Sequence, residues 1–377
     1  MSLVVLAGSV TPSHAQGQAG SGVVSLQENV TRLAALDYPV RMQAARLIRR
    51  EPGPEAVKAL VEAARRDSNE FVRYRALVLL TAFNDPGTSD LMRDLMRDRN
   101  DRVREVVFKW FERHPDPRLA STLVGMLQTE VAEFVRPALV AALAALGTEA
   151  VQRPMIAETA RGLDIFRSAV IESLGRYRAA YALDAIVAAG KFEGPLQDDA
   201  VLALGRIGGP RAAAALNQLT GATPEAALIM RAARCLLGDS CAEHLAALAT
   251  VAGADDARVS NVRAAIDGLS AVAQGGSEPA VAALLKLAAR NAIRERVAVA
   301  IASVALRQPD WFVVWMNTTD DATRESVVAL LKDGFDSLDE DFAEEQFFAA
   351  VRAAYWRANE GSALRRLADE LIQELEF

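Results

Sequence analysis

Phe166-Arg167-Ser168-Ala169-Val170-Ile171-Glu172-Ser173-Leu174-Gly175 is followed, 30 residues on, by Leu196-Gln197-Asp198-Asp199-Ala200-Val201-Leu202-Ala203-Leu204-Gly205. Both stretches place apolar residues three and four apart, which predicts an amphipathic helix. Both close on a glycine able to take the left-handed conformation that ends a helix. The apolar-Arg pair at their start recurs as Val40-Arg41, Val72-Arg73, Val103-Arg104, Val135-Arg136, Met230-Arg231, Val262-Arg263 and Ile293-Arg294, with Leu196-Gln197 and Thr323-Arg324 in two further slots. Successive steps run from 30 to 34 residues and average about 31. A second helical stretch follows each anchor, as in Pro54 to Val61 and Pro210 to Leu219, with proline suited to the first helical turn. A hairpin of two short helices cannot bury both its apolar faces alone, so neighbours must stack. The sequence therefore predicts an all-α chain, a right-handed α-solenoid of about ten helical hairpins.

Apolar-Arg-x-x-Ala-x-x-Ala/Leu-Leu-Gly at this step resembles the HEAT repeat family, in the short HEAT-like form also found in phycobilin lyases, over about residues 36–306. The resemblance implies architecture and is nearly silent about activity. It also implies that second helices line the concave face. The pattern breaks at Gln197, at Arg231 and around Arg136, where the interval from anchor to glycine changes, and the curvature is expected to change there.

The two ends differ from the middle. Residues 1–22 read as a leader or disordered tail, 23–308 as the repeat solenoid and 309–377 as an aromatic, acidic helical cap. In the leader, Leu3 to Ala7 is apolar and Ser13-His14-Ala15 fits a signal-peptidase site, although the first basic residue is Arg32. The expectation is a periplasmic or secreted protein, with a cytoplasmic chain carrying a flexible tail as the alternative. No segment is continuously apolar over the length of a membrane span. The cap gathers Trp311, Phe312, Trp315, Phe335, Phe342, Phe347, Phe348, Tyr355 and Trp356, large side chains of the kind that close an exposed last repeat.

The 377 residues carry a net charge of -7, which disfavours a surface given over to nucleic acid. That charge is unevenly spread: residues 32–118 hold 18 basic and 14 acidic side chains, and residues 309–377 hold 6 and 16. In the basic part, Arg65, Arg66, Arg93, Arg97 and Arg99 fall on or just after second helices. They form either a concave basic patch for an acidic partner or a solvated face balanced by Glu62, Asp67, Asp90, Asp94 and Asp98. The anchor arginines read as structural, a stacked row joined to acids such as Asp101, Glu133 and Asp164 three residues before them. The acidic end, from Asp336 through Asp339 and Glu340 to Glu345, lacks the spacing and glycine of a calcium loop.

Only 3 His and 2 Cys are present, too few for a zinc site or a cluster of metal-binding histidines. Dinuclear iron hydroxylases built on this repeat would need several His-Glu pairs, and Glu243-His244 is the sole adjacent one. A nucleophilic triad would have to use His244 or His114, neither with a local signature. The expectation is a non-enzymatic scaffold that binds a protein or peptide along its concave face, with no metal and no cofactor. A lyase acting on a bound chromophore, or another enzyme, is the alternative, and a nucleic-acid-binding HEAT protein is disfavoured. Cys235 and Cys241 flank Gly238, where a turn would bring them within disulfide reach. Two buried free thiols are the alternative.

Overall fold

Asn69 and Asn100 show how each unit begins. Each asparagine side chain accepts a backbone N–H of the helix it starts, from Phe71 at 2.9 Å and Val103 at 3.3 Å. The aspartate two residues earlier, Asp67 or Asp98, accepts the asparagine's own N–H and fixes the turn. The computed structural model describes residues 25–191, 194–219, 221, 223–338 and 340–375. The leader expected over residues 1–22 lies outside them.

After α1 (Leu26–Arg32), anchor-bearing first helices alternate with second helices: α2 (Tyr38–Arg50) then α3 (Gly53–Arg66), α4 (Glu70–Leu80) then α5 (Thr88–Leu95), α6 (Asp101–Arg113) then α7 (Ala120–Leu127). The middle pairs are α8 (Val135–Leu146) with α9 (Glu149–Glu158), α10 (Asp164–Arg176) with α11 (Leu183–Ala189), and α12 (Pro195–Ile207) with α13 (Gly209–Leu216). Then come α14 (Pro224–Leu236) with α15 (Cys241–Gly253), α16 (Val259–Ala273) with α17 (Glu278–Leu287), and α18 (Arg294–Arg307) with α19 (Pro309–Thr318). The chain closes with α20 (Asp321–Leu338), α21 (Asp341–Arg357) and α22 (Ala363–Leu375). No strand occurs among the described residues, and no single described helix is long and apolar enough to cross a membrane. Every anchor falls on a first helix, from Arg41 on α2 to Arg324 on α20. The hairpin pattern runs one helix past 308, since α19 pairs back on α18 and α20 stacks on α18 as a further first helix.

The anchors are structural, by a route that sequence spacing did not identify. Arg41, Arg73 and Arg104 turn back to donate to the carbonyls of Ala35, Asp67 and Asp98, at 2.9, 3.2 and 2.8 Å, closing the end of the preceding unit. Gln197 does the same to Gly190 at 3.0 Å, which explains why an amide can replace the guanidinium there. Arg73 and Arg104 also reach forward to Asp98 and Glu130 of the next inter-repeat turn. Of the acids three residues earlier, Asp164 pairs with its anchor Arg167, at 2.9 Å.

Two glycines differ from expectation. Gly238 has the left-handed φ of +84°, but Gly175 and Gly205 lie inside α10 and α12. A Cβ on Gly175 would sit 2.6 Å from Ala203 Cα, and one on Gly205 would sit 2.7 Å from Ala233 O. These glycines are notches that let first helices approach closely, not helix ends. Beyond Gly238, Cys235 and Cys241 are joined by a disulfide.

First helices form the inner layer, which reverses the arrangement the resemblance implied. Among the described residues, side-chain bonds between units two or more apart leave from first helices. Arg176 and Tyr177 at the end of α10 donate to Glu112 of α6, and Arg307 of α18 donates to Glu172 of α10 at 2.6 Å. The cap completes the closure. Helix α21 crosses the inner face of the first repeats, where Tyr74 Oη donates to Asp341 at 2.8 Å, Lys109 Nζ to Glu340 at 2.6 Å and Gln346 to Thr81 at 2.8 Å. Glu345, only 3% exposed, pairs with Arg49 and Arg352. The uneven charge in the sequence is thus spent within the molecule, acidic end against basic beginning.

Candidate functional site

The five arginines singled out in the sequence lie on the outer layer. Arg65 pairs with Asp94 at 2.9 Å, Arg66 with Glu62 at 3.1 Å, and Arg93 with Asp90 and, at 3.8 Å, Asp116. Arg97 and Arg99 are exposed beside them. Because second helices face outward, this is not a concave patch, and three of its five charges have acidic partners on the same surface. Such exposed pairs contribute about 0–1 kcal/mol each and leave little field for a partner.

The described histidines do not assemble a catalytic group. His114 caps α6, where its Nδ1 lies 3.1 Å from Trp110 O and its ring stacks on Trp110 at 3.7 Å. Burial, with Arg113 beside it, lowers its pKa and so favours the neutral ring. His244 is half-buried on α15 with its Nδ1 unpartnered, far in sequence from any His or Cys apart from the bridged Cys241. No group of three or more His, Cys, Asp or Glu among the described residues could hold a metal.

An apolar rim emerges instead at the starts of first helices. The residue just before four of the anchors is buried: Val72, Val103, Val135 and Phe166 are at most 7% exposed. Successive helical residues point about 100° apart, so a residue two before the anchor turns outward. There stand Phe71, Phe134 and Ile165, with Val131 and Leu163 in the adjoining turns, all exposed, Val131 and Ile165 by 87% and 79%. Helices α8 and α10 are neighbours in the stack, so four of the five stand at the starts of adjacent helices. The sequence carried a signal for it: large apolar residues at a slot where an amphipathic helix should be polar.

Inside the arc lie two adjoining chambers of about 530 and 280 Å³ that share Glu172 and Ser303. Their walls come from α6, α8, α10, α12, α16 and α18, with the start of α21 closing one side. Charged groups converge on them. Burial would raise the carboxyl pKa of Glu172, but Arg307 and Arg176 outweigh it and hold the pKa at about 2. Burial likewise opposes a proton on Lys109, yet Glu105 and Glu340 hold its pKa above the usual lysine value. Burial, with Glu112 beside it, pushes the Tyr177 phenol well above its ordinary pKa, so it remains a donor. The opposite balance holds at Asp198 on α12, where burial and the neighbouring Asp199 raise the carboxyl to about 6. Sequence periodicity could not reveal this cluster, because its members come from units up to 231 residues apart.

Comparison with known proteins bears on the repeat alone. The family model for HEAT repeats matches residues 26–109. No curated protein matches the chain. Among solved structures, it is similar to the complex of CpcE and CpcF of phycocyanin lyase from Nostoc sp. PCC7120, at 18% identity over 73% of this chain and 98% of that one, with a TM-score of 0.37. Human deoxyhypusine hydroxylase is similar at 18% identity over 69% of this chain and 96% of its own, with a TM-score of 0.31. Kap95p, solved with RanGDP, is similar at 12% identity over 93% of this chain, which spans 60% of that one, with a TM-score of 0.42.

Proposed function

We propose that this HEAT-repeat solenoid is a non-enzymatic scaffold that docks a protein partner on the apolar rim at the starts of its first helices. The observation that carries the reading is the exposure of four large apolar side chains, Val131, Phe134, Leu163 and Ile165, at the starts of two adjacent helices. Contiguous exposed apolar surface on a folded chain marks an interaction site. A stack of packed hairpins presents such a row already ordered, so binding loses little conformational entropy. The partner carries a complementary apolar ridge and meets the rim rather than the inner face, whose first repeats are covered by α21.

Export to the periplasm or secretion is part of the same proposal. The disulfide between Cys235 and Cys241 supports it, because such bonds persist in oxidising compartments.

The test compares tagged wild type with a Phe134→Asp, Ile165→Asp double variant in capture from an envelope fraction. Both positions are exposed, so the fold is retained, as circular dichroism would verify. A partner held by wild type and lost from the variant, then reconstituted from purified components, supports the rim. Equal capture by both proteins rejects it.

A further inference from the structure

Arg206, in the last turn of α12, lines the smaller inner chamber. Among the described residues its guanidinium has neither a hydrogen bond nor an ion pair, although Arg307, Arg176, Glu172 and Asp199 all act on it. Both carboxylates are already in use. Glu172 Oε1 accepts from Arg307 at 2.6 Å and from Arg176 at 3.4 Å, and Asp199 Oδ2 accepts from Ser168 Oγ at 2.5 Å. Arg176 Nε is buried without an acceptor.

Three guanidiniums thus converge around one shared carboxylate, and one of the three is unmatched. Burial first, and then repulsion from Arg307, lowers the Arg206 pKa to about 10, which leaves it charged at neutral pH. Arg206 is half-buried, and Glu172 and Asp199 offset part of its charge without bonding to it. Its planar fork of donors matches a carboxylate or a phosphate. Leu202, one turn before Arg206 on α12, and Val299 and Ala300 of α18 give the chamber its apolar lining, beside Asp267 and Arg296, which pair with each other at 3.1 Å. A chamber of about 280 Å³ that opens onto one of about 530 Å³ is the size of a small-molecule site.

We propose that the adjoining inner chambers bind a small organic anion, a carboxylate or phosphate monoester, with its charged head between Arg206 of the smaller and Arg307 of the larger and its apolar body against Leu202 and Val299 of the smaller. This site is independent of the outer rim. Anion binding supplies the missing acceptor and turns mutual repulsion among the arginines into shared attraction.

The experiment titrates the full chain with benzoate and with phenyl phosphate, against sodium chloride at equal ionic strength. Binding is read by calorimetry and by the thermal midpoint, and the two probes identify the head group. Wild type is expected to bind at least one of them and to gain midpoint beyond the chloride control. Arg206→Gln should weaken that binding at least about tenfold, the loss expected for a charge-assisted hydrogen-bonded contact. Arg206→Lys should retain part of it. Because Arg206 holds no partner, the ligand-free glutamine variant should be at least as stable as wild type, a signature that a purely structural arginine would not give. The outer-face variant Arg65→Gln should bind as wild type does. No binding of either probe by wild type, or binding undiminished in Arg206→Gln, overturns the proposal.

Discussion

Replacing Gly205 by alanine should destabilise the protein even though alanine is the better helix former. On propensity alone, glycine to alanine inside α12 gains about 1 kcal/mol. The site does not allow it: the new Cβ would stand 2.7 Å from the carbonyl oxygen of Ala233, 2.8 Å from its Cα and 3.1 Å from its carbonyl carbon. Those are backbone atoms of α14 and cannot swing aside. Restoring ordinary carbon contacts of about 3.5–4.0 Å requires the two helices to separate by about 1 Å. Overpacking of this kind costs about 1–3 kcal/mol, so the net effect is a loss of up to about 2 kcal/mol. Gly125, exposed on α7 with nothing within 4 Å of where an added methyl group would stand, is the control. There the same substitution should raise stability by up to about 1 kcal/mol. Urea denaturation followed by far-ultraviolet circular dichroism, with the disulfide intact, compares the midpoints and slopes of the three proteins. Helices α12 to α16 also form the arc that carries Arg307 to Glu172, so opening the notch should weaken that bond. In the Gly205→Ala background, Arg307→Gln should therefore cost less than it does in wild type. A Gly205→Ala protein as stable as wild type or more so would refute the close-packing argument.

Asp198 makes stability fall as pH rises. Its folded pKa of about 6 lies above the unfolded value of about 3.9, so the folded state binds its proton more tightly. The contribution is present below pH 4 and is lost between about pH 4 and 6; Asp198→Asn should therefore stabilise at pH 7 and not at pH 4, as denaturation midpoints at the two values would show. Closure of the ring rests on Glu345, 3% exposed between Arg49 and Arg352. Glu345→Gln leaves a buried guanidinium poorly compensated and should cost about 3–5 kcal/mol, with increased hydrogen exchange in α21 as the accompanying readout. The short loop closed by Cys235 and Cys241 contributes about 2 kcal/mol in the chain-entropy model, so Cys235→Ser with Cys241→Ser should lower the midpoint accordingly. Titration of denatured, oxidised wild type should find no free thiol.

The repeating unit is legible in the chain's own periodicity. An apolar residue and arginine every 31 or so residues, with apolar spacings of three and four behind them, specify helical hairpins, because those patterns express contacts within a unit and with its immediate neighbour. The anchors' structural role was legible for the same reason, since Arg73 and Arg104 act on carbonyls six residues back. Which layer faces inward was not legible. It depends on how far neighbouring helices approach, and notches such as Gly175 against Ala203 decide that only when both helices are in place. The fate of the charge segregation was also hidden: the basic beginning and acidic end look like surfaces for partners until α21 crosses the arc and pairs Glu345 with Arg49, 296 residues away. The inner cluster is the extreme case. Glu112, Glu172, Arg176, Arg206 and Arg307 each look like a solvated residue on its own helix, and only the summed rotation of many repeats brings them to one space. Local periodicity encodes nearest-neighbour packing, whereas curvature accumulates small angles over the whole stack, so the sites that curvature creates exist only in the tertiary structure.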